Sequence, residues 1–348
     1  MKTAYSLPIG LGLASAALFA AWGIRRRRRM SFDRAAVIIT GGSRGLGLEL
    51  ARCFAAEGAR VTLLGRDERS LAAASAELSK TFGVPVFAQR CDVRDRDDVG
   101  RAIKNAKHRF GRIDVLVNNA GVIDFGPFEH MQVDDYRDNI DTHLFGPLYA
   151  ALEVIPHMKH QGGGRIVNIA SIGGLVTFPH AAPYCASKHA AVGLSDGMRA
   201  ELARHNIRVT TVCPGLMRTG SHVNARFKGR HHAEYTWFAL GAAAPWMSTS
   251  SKRAARRIVE ACRYGRTSLV LTLPARLLKT ADAIAPGLVA RWMQFGNRLL
   301  PAPAEVDGDL RHTGWESGTR LTRTFLTRSA DRAVSVNNQV QRDAHARA

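Results

Sequence analysis

The chain has 348 residues, 49 of them Lys or Arg and 29 Asp or Glu, giving a formal net charge of +20. Such an excess attracts anionic membranes, nucleic acid or acidic small molecules without choosing among them, and no nucleic-acid motif is present, so no nucleic-acid partner is expected. The five cysteines (53, 91, 185, 213 and 262) are odd in number and show no redox or metal-ligand spacing; this argues against a disulfide framework and for free thiols in a reducing compartment.

At the N-terminus, Leu7 to Ile24 is eighteen residues without a charge, and Arg25 to Arg29 follow at once. A helix of that length spans ~27 Å, close to the ~30 Å hydrocarbon core. A signal peptide carries its positive charge before the apolar run, whereas here only Lys2 precedes it. Residues 1–30 are therefore expected to be a membrane anchor with a pentarginine flank. The positive-inside rule makes it single-pass, with the body on the cytoplasmic side and membrane lipid as a partner. A mitochondrial presequence, a nuclear patch and interfacial attachment are the competing explanations.

Next comes an apolar run, Ala36-Val37-Ile38-Ile39, that predicts a buried strand. It enters Thr40-Gly41-Gly42-Ser43-Arg44-Gly45-Leu46-Gly47, and Leu46 to Ala56 has the pattern of a helix. Glycines at a strand-to-helix turn allow a tight bend and let backbone approach a pyrophosphate, which then sits on the helix N-terminus. A second strand, Val61-Thr62-Leu63-Leu64, ends in Gly65-Arg66 where an acidic residue would select the ribose 2′-hydroxyl. Arg66, with Arg44 in the glycine loop, suits a 2′-phosphate, and Asp67 is placed to cap the following helix. NADP(H) is expected in preference to NAD(H).

A third strand over 85–89 leads to Cys91-Asp92-Val93, and a fourth (Asp114 to Val117) runs into Asn118-Asn119-Ala120-Gly121. A fifth, over 164–170, ends at Ser171, thirteen residues before Tyr184 of Tyr-Cys-Ala-Ser-Lys. After a sixth strand, Arg208 to Val212, stand Pro214-Gly215 and Thr219. Strands alternating with helices imply an α/β fold, a doubly wound parallel (Rossmann-type) sheet in one domain over residues 34–272. Tyr184 and Lys188, four apart, share one helix face. A nearby ammonium lowers a phenol from ~10 toward working pH. Tyr184 would then serve as general acid in reduction and base in oxidation, with Ser171 holding the substrate oxygen.

These six motifs, in this order, resemble the short-chain dehydrogenase/reductase family. The resemblance implies cofactor contacts from Thr40, Gly41, Ser43, Arg44, Gly45, Leu46 and Gly47, and from Arg66. It adds Asp92 and Val93 at the adenine, then Asn119, Ala120, Gly121, Pro214, Gly215 and Thr219. It gives Lys188 a second role, on the nicotinamide ribose beside Tyr184, and implies a homo-oligomer. One position departs from the family: its helix asparagine is replaced by His143 in His143-Leu144-Phe145-Gly146. A histidine can donate and accept hydrogen bonds and titrates near neutrality. His143 is expected to keep the proton relay; the other possibilities are a packing histidine and substitution by Asn139 one turn earlier. His231-His232 and His157/His160 lack a ligand set, so no metal is expected.

Leu216 to Ser248 contains Phe227, Tyr235, Trp237, Phe238, Trp246 and Met247. The family has a variable lid here, which implies an apolar small-molecule substrate, though aromatics also pack onto their own domain. Beyond it, Leu277, Ala281, Ile284, Leu288, Trp292, Phe295 and Leu299 recur at helical spacing, broken at Pro286. Residues 273–300 are thus expected to form an amphipathic helical extension, lying on a membrane or covering the core or an interface. Residues 301–348 are polar and expected to be disordered. The sequence points to an NADP(H)-dependent oxidoreductase interconverting an apolar ketone or aldehyde and its alcohol, with a steroid-, retinoid- or lipid-like substrate. The rival is a dinucleotide-binding scaffold or redox sensor with little turnover.

Overall fold

Seven parallel strands form the central sheet of the computed structural model, which describes residues 29–243, 247–319 and 333–339. In chain order they are β1 (Ala36–Thr40), β2 (Arg60–Gly65), β3 (Val86–Arg90), β4 (Val115–Asn118), β5 (Gly164–Ile169), β6 (Ile207–Cys213) and β7 (Ser268–Val270). Across the sheet the order is β7-β6-β5-β4-β1-β2-β3. The helices between strands are α1 (Gly45–Ala55), α2 (Glu68–Phe82), α3 (Arg96–Phe110), α4 (Val133–Ile140), α5 (Gly146–His160), α6 (Ala182–Leu202), α7 (His231–Ala243) and α8 (Ser251–Arg263). Two more, α9 (Leu273–Ile284) and α10 (Pro286–Asn297), follow the sheet.

The apolar runs have a direct cause. Successive strand residues point to opposite faces, and both faces of this sheet are covered. Val37, Ile39, Val115, Val117 and Val167 meet one core with Leu50 and Phe54 of α1 and Ile258 of α8. Their neighbours Ile38, Leu116 and Ile166 meet the other, with Ile103 of α3 and Val154 of α5. Strands buried on both sides read as continuous apolar runs rather than alternation. The strand order reverses between β1 and β4, so their carboxyl ends open a crevice, the place where α/β sheets take ligands.

The ends of the chain differ in part from expectation. The stripe after the sheet does form two helices, with Pro286 at the first position of α10, but they bury only Ala275 and Val289. Leu277, Ile284, Leu288, Trp292, Phe295 and Leu299 are exposed, so this face does not cover the core. The tail, expected to lack structure, is tied down in two places. His312–Thr313 pairs antiparallel with Arg226–Phe227, and residues 333–339 pack against the glycine loop. Charge rather than apolar patterning holds the first segment: Arg311 pairs with Asp135 and Asp138 of α4. Composition cannot reveal such a tie. Leu7 to Ile24 lies outside the described residues, and no helix among the described residues is long and apolar enough to cross a membrane.

Candidate active site

Sequence-distant segments converge at the carboxyl ends of β1, β4 and β5. Thr40, the last residue of β1, accepts at Oγ1 from the Asn119 and Ala120 amides at 3.0 and 3.1 Å. Asn119 Nδ2 returns two bonds of 3.1 Å to the Thr40 and Gly41 carbonyls. The glycine loop and the Asn-Asn-Ala-Gly segment are thus one cross-tied unit. Gly41 and Gly45 have φ of 63° and 59°, a left-handed conformation that favours glycine. A Cβ on Gly47 would collide with the Gly41 carbonyl oxygen.

The first-turn amides of α1, from Gly45, Leu46 and Gly47, have no partner inside their own helix. They make a cradle that fits a pyrophosphate. Arg66 follows β2 and is exposed, and Asp67 caps α2, accepting from the Ser70 amide at 2.7 Å. The acidic residue that follows Arg66 is therefore occupied as a helix cap. Asp92 is tied to Arg94 at 2.7 Å, Val93 lies against Gly146, and the Pro214 carbonyl accepts from Ile172 at 2.8 Å. Gly215 sits against Thr272 with no room for a side chain, and the buried Thr219 bonds Ser221 at 2.7 Å.

Ser171, Tyr184 and Lys188 come together as the spacing predicts. Ser171 follows β5, accepts at Oγ from the Gly173 amide at 3.0 Å, and hydrogen-bonds the Tyr184 hydroxyl. Lys188 Nζ donates to the Ile169 carbonyl at 3.0 Å and lies 5.7 Å from the Tyr184 ring centroid. One expectation is corrected here. Burial pushes the phenol up to about 12, against the pull of the Ser171 hydrogen bond, and it brings the Lys188 amine down to about 7. Desolvation disfavours the charged form of each group.

Lys188 makes stability depend on pH. Between pH 7 and 10.5 the unfolded chain keeps a proton on this amine that the folded protein has released, so stability rises with pH across that window. Cys91 and Cys262, both raised to about 12, act in the opposite sense above pH 9. The clean interval is therefore pH 7–9. Relative to Lys188→Met, the wild type should gain stability there with a slope that rises to about 1.4 kcal/mol per pH unit, measured by urea unfolding. Parallel pH profiles for the two proteins would mean that Lys188 is not titrating in the fold.

His143 is more constrained than the sequence suggests. It sits in a wide, π-helical turn, Asp141–Phe145, between α4 and α5, a feature common at functional sites. Its Nε2 accepts from the Val122 amide at 3.2 Å, so Nδ1 carries the proton and donates to Ser187 Oγ at 2.7 Å. Ser187 in turn donates to the Tyr184 carbonyl at 2.7 Å. Burial, reinforced by Lys188, holds the imidazole well below its ordinary value. The expected residue titrating near neutrality is thus replaced by a neutral one with both nitrogens engaged. Asn139 does not fill its place, because it bonds Asp124 and the Asp135 carbonyl instead. A cavity of about 10 Å³ is lined by His143, Lys188, Asn118 and Asn168, room for roughly one water.

A buried polar chain escaped the sequence reading. Asn118 donates to Asn168 at 2.9 Å, Asn168 to Ser195 at 3.0 Å, and Ser195 meets Thr211 at 2.7 Å. It fixes α6, the helix of Tyr184 and Lys188, against β4, β5 and β6. Of the lid aromatics, Phe227 and Tyr235 are buried and Phe238 packs on them. Trp246 lies outside the described residues. Trp237, Leu240 and Met247 remain exposed.

The family profile for short chain dehydrogenases matches residues 35–228. Dehydrogenase/reductase SDR family member 7B of Danio rerio is 38% identical over 206 residues, covering 58% of this chain and 67% of that protein. A putative ketoacyl reductase of Streptomyces coelicolor is 38% identical over 196 residues, covering 56% of this chain and 75% of its own. In three dimensions the chain resembles L-sorbose reductase from Gluconobacter frateurii, complexed with NADPH and L-sorbose. The TM-score is 0.63 at 26% identity, covering 70% of this chain and 97% of that one. The chain belongs to the short-chain dehydrogenase family and is a NAD(P)-dependent oxidoreductase.

Proposed function

We propose that the protein uses NADP(H) to interconvert an apolar ketone or aldehyde and its alcohol, with Tyr184 exchanging the proton. The observation that carries this is the convergence of Ser171, Tyr184 and Lys188 beside a glycine cradle followed by Arg66 rather than an acid. A bound nicotinamide supplies or accepts the hydride. Ser171 holds the substrate oxygen, and Tyr184, still protonated at neutral pH because burial raises it to about 12, gives that oxygen its proton. A protonated phenol is the form needed for reduction. Lys188, charged for part of the time near neutrality, stabilises the phenolate left behind. Exposed Trp237, Leu240 and Met247 favour an apolar substrate of steroid-, retinoid- or lipid-like character. Purified protein, NADPH and a panel of apolar carbonyls, followed by absorbance, test this. Turnover with kcat/KM higher for NADPH than for NADH is expected. No oxidation with any carbonyl would leave the rival, a dinucleotide-binding scaffold.

The same protein is proposed to attach to a membrane on its cytoplasmic face. Residues 7–24 with their arginine flank form one element; the exposed face of α9 and α10, with Arg276, Lys279, Arg291 and Arg298 near it, forms the second. Apolar surface bordered by cations suits anionic lipid. Carbonate should fail to extract the full-length protein and should extract one lacking residues 1–30. Residual binding sensitive to salt would implicate the basic surface, since exposed charges are screened over ~8 Å at physiological ionic strength. Full-length protein in the soluble fraction would overturn the spanning anchor.

A further inference from the structure

The segment 333–339 occupies the seat assigned above to the cofactor pyrophosphate. The Asn337 carbonyl accepts from the Gly45 amide at 2.9 Å. That amide is the first donor of the α1 cradle, so a peptide oxygen stands where a phosphate oxygen would be held. Asn338 Nδ2 donates to the Ser43 carbonyl at 3.0 Å and to that of Ser70 at 3.3 Å. On the far side of the crevice, Asn337 Nδ2 reaches the Thr219 carbonyl and Ser251 Oγ, both at 3.2 Å. Arg52 donates to the Val336 carbonyl at 3.0 Å. The segment thus bridges the glycine loop and the Thr219-Gly220 turn with the start of α8.

The fit is close. Asn337 and Gln339 are 1% and 5% exposed. A Cβ on Gly45 would come within 2.9 Å of Gln339 Nε2, and one on Gly220, whose φ is 77°, within 2.8 Å of Val334. The seat is nevertheless imperfect, because Asn337 Oδ1 is buried with no hydrogen-bond partner. A buried carbonyl left unpaired carries a cost, which keeps this contact reversible.

We propose that the glycine loop is also a docking site for the chain's own Asn337-Asn338-Gln339, and that this strap excludes the cofactor until it is displaced. The proposal rests on assigning the glycine loop to the pyrophosphate. Two occupants that need the same amide compete, so a strap seated nine-tenths of the time raises the apparent Kd about tenfold. Removing it lowers Kd without touching Ser171, Tyr184 or Lys188.

Three proteins test this: the full chain, a chain ending at residue 332, and Asn337→Asp/Asn338→Asp, which turns amide donors into carboxylates facing carbonyl oxygens. NADPH affinity is read by fluorescence, and seating of the strap by hydrogen exchange at Gly45 without cofactor. Both variants should bind NADPH roughly tenfold more tightly and lose Gly45 protection, and a peptide of residues 333–339 should compete with NADPH for the truncated chain. Equal affinities within twofold, or weaker binding by the variants, would overturn the proposal. The second result would make the strap a clamp over the cofactor. If Gly45 protection falls while no protein binds NADPH, the docking contact is real, but the cofactor assignment of the loop fails and exclusion of the cofactor fails with it.

Discussion

Tyr184→Phe keeps its affinity for NADPH and loses about 10²–10⁴-fold in kcat, the share that general acid–base help supplies. The substitution removes one oxygen and leaves the ring, which lies close against Gly173. With it go the Ser171 hydrogen bond and the only transferable proton of the phenol. Each tenfold loss corresponds to about 1.4 kcal/mol of transition-state stabilisation, so the expected deficit is roughly 3–6 kcal/mol. Stability should change little, because the ring stays in place and Ser171, the partner of the lost hydroxyl, keeps its bond from the Gly173 amide. Steady-state rates and a fluorescence titration with NADPH measure the two quantities separately. Activity within threefold of wild type would remove Tyr184 from the chemistry.

What could be read in the sequence was whatever local chemistry dictates. The run Ala36 to Ile39 had to be a strand covered on both faces, and the four-residue spacing of Tyr184 and Lys188 had to put them on one side of a helix. Asp67 as a helix cap followed from its place after β2. The remainder depends on contacts between residues far apart in the chain. The chain from Asn118 through Asn168 and Ser195 to Thr211 joins positions separated by 50, 27 and 16 residues, each an ordinary polar residue by itself. His143 looked titratable because histidine in water is; burial, Val122 and Ser187 remove that freedom. Phe227, Tyr235 and Phe238 looked like a lid and largely form a core of their own. The tail misled most. Its composition is that of a solvated segment, yet asparagine and glutamine amides suit a crevice lined with backbone carbonyls.

Gly47→Ala gives the second large effect, and its sign runs against helix propensity. Inside an ordinary helix, alanine in place of glycine adds about 0.5–1 kcal/mol of stability. Gly193 in α6 meets that condition, since nothing lies within 4 Å of an added Cβ. At Gly47 the new methyl runs into the Gly41 carbonyl oxygen and comes within 2.6 Å of Asn119 Nδ2. Neither neighbour is a free side-chain end. Gly41 is fixed backbone with φ of 63°, and Asn119 is committed by two bonds to the Thr40 and Gly41 carbonyls. To admit the methyl, the cross-tie between the glycine loop and the Asn-Asn-Ala-Gly segment has to open. Overpacking of this kind costs roughly 1–3 kcal/mol. The loop that shifts is the one assigned to the pyrophosphate, so NADPH affinity should fall roughly a hundredfold, about 2.7 kcal/mol, while Gly193→Ala binds as wild type and melts higher. A Gly47→Ala protein that melts like wild type and binds NADPH within fivefold would show that this glycine cradle does not hold the cofactor.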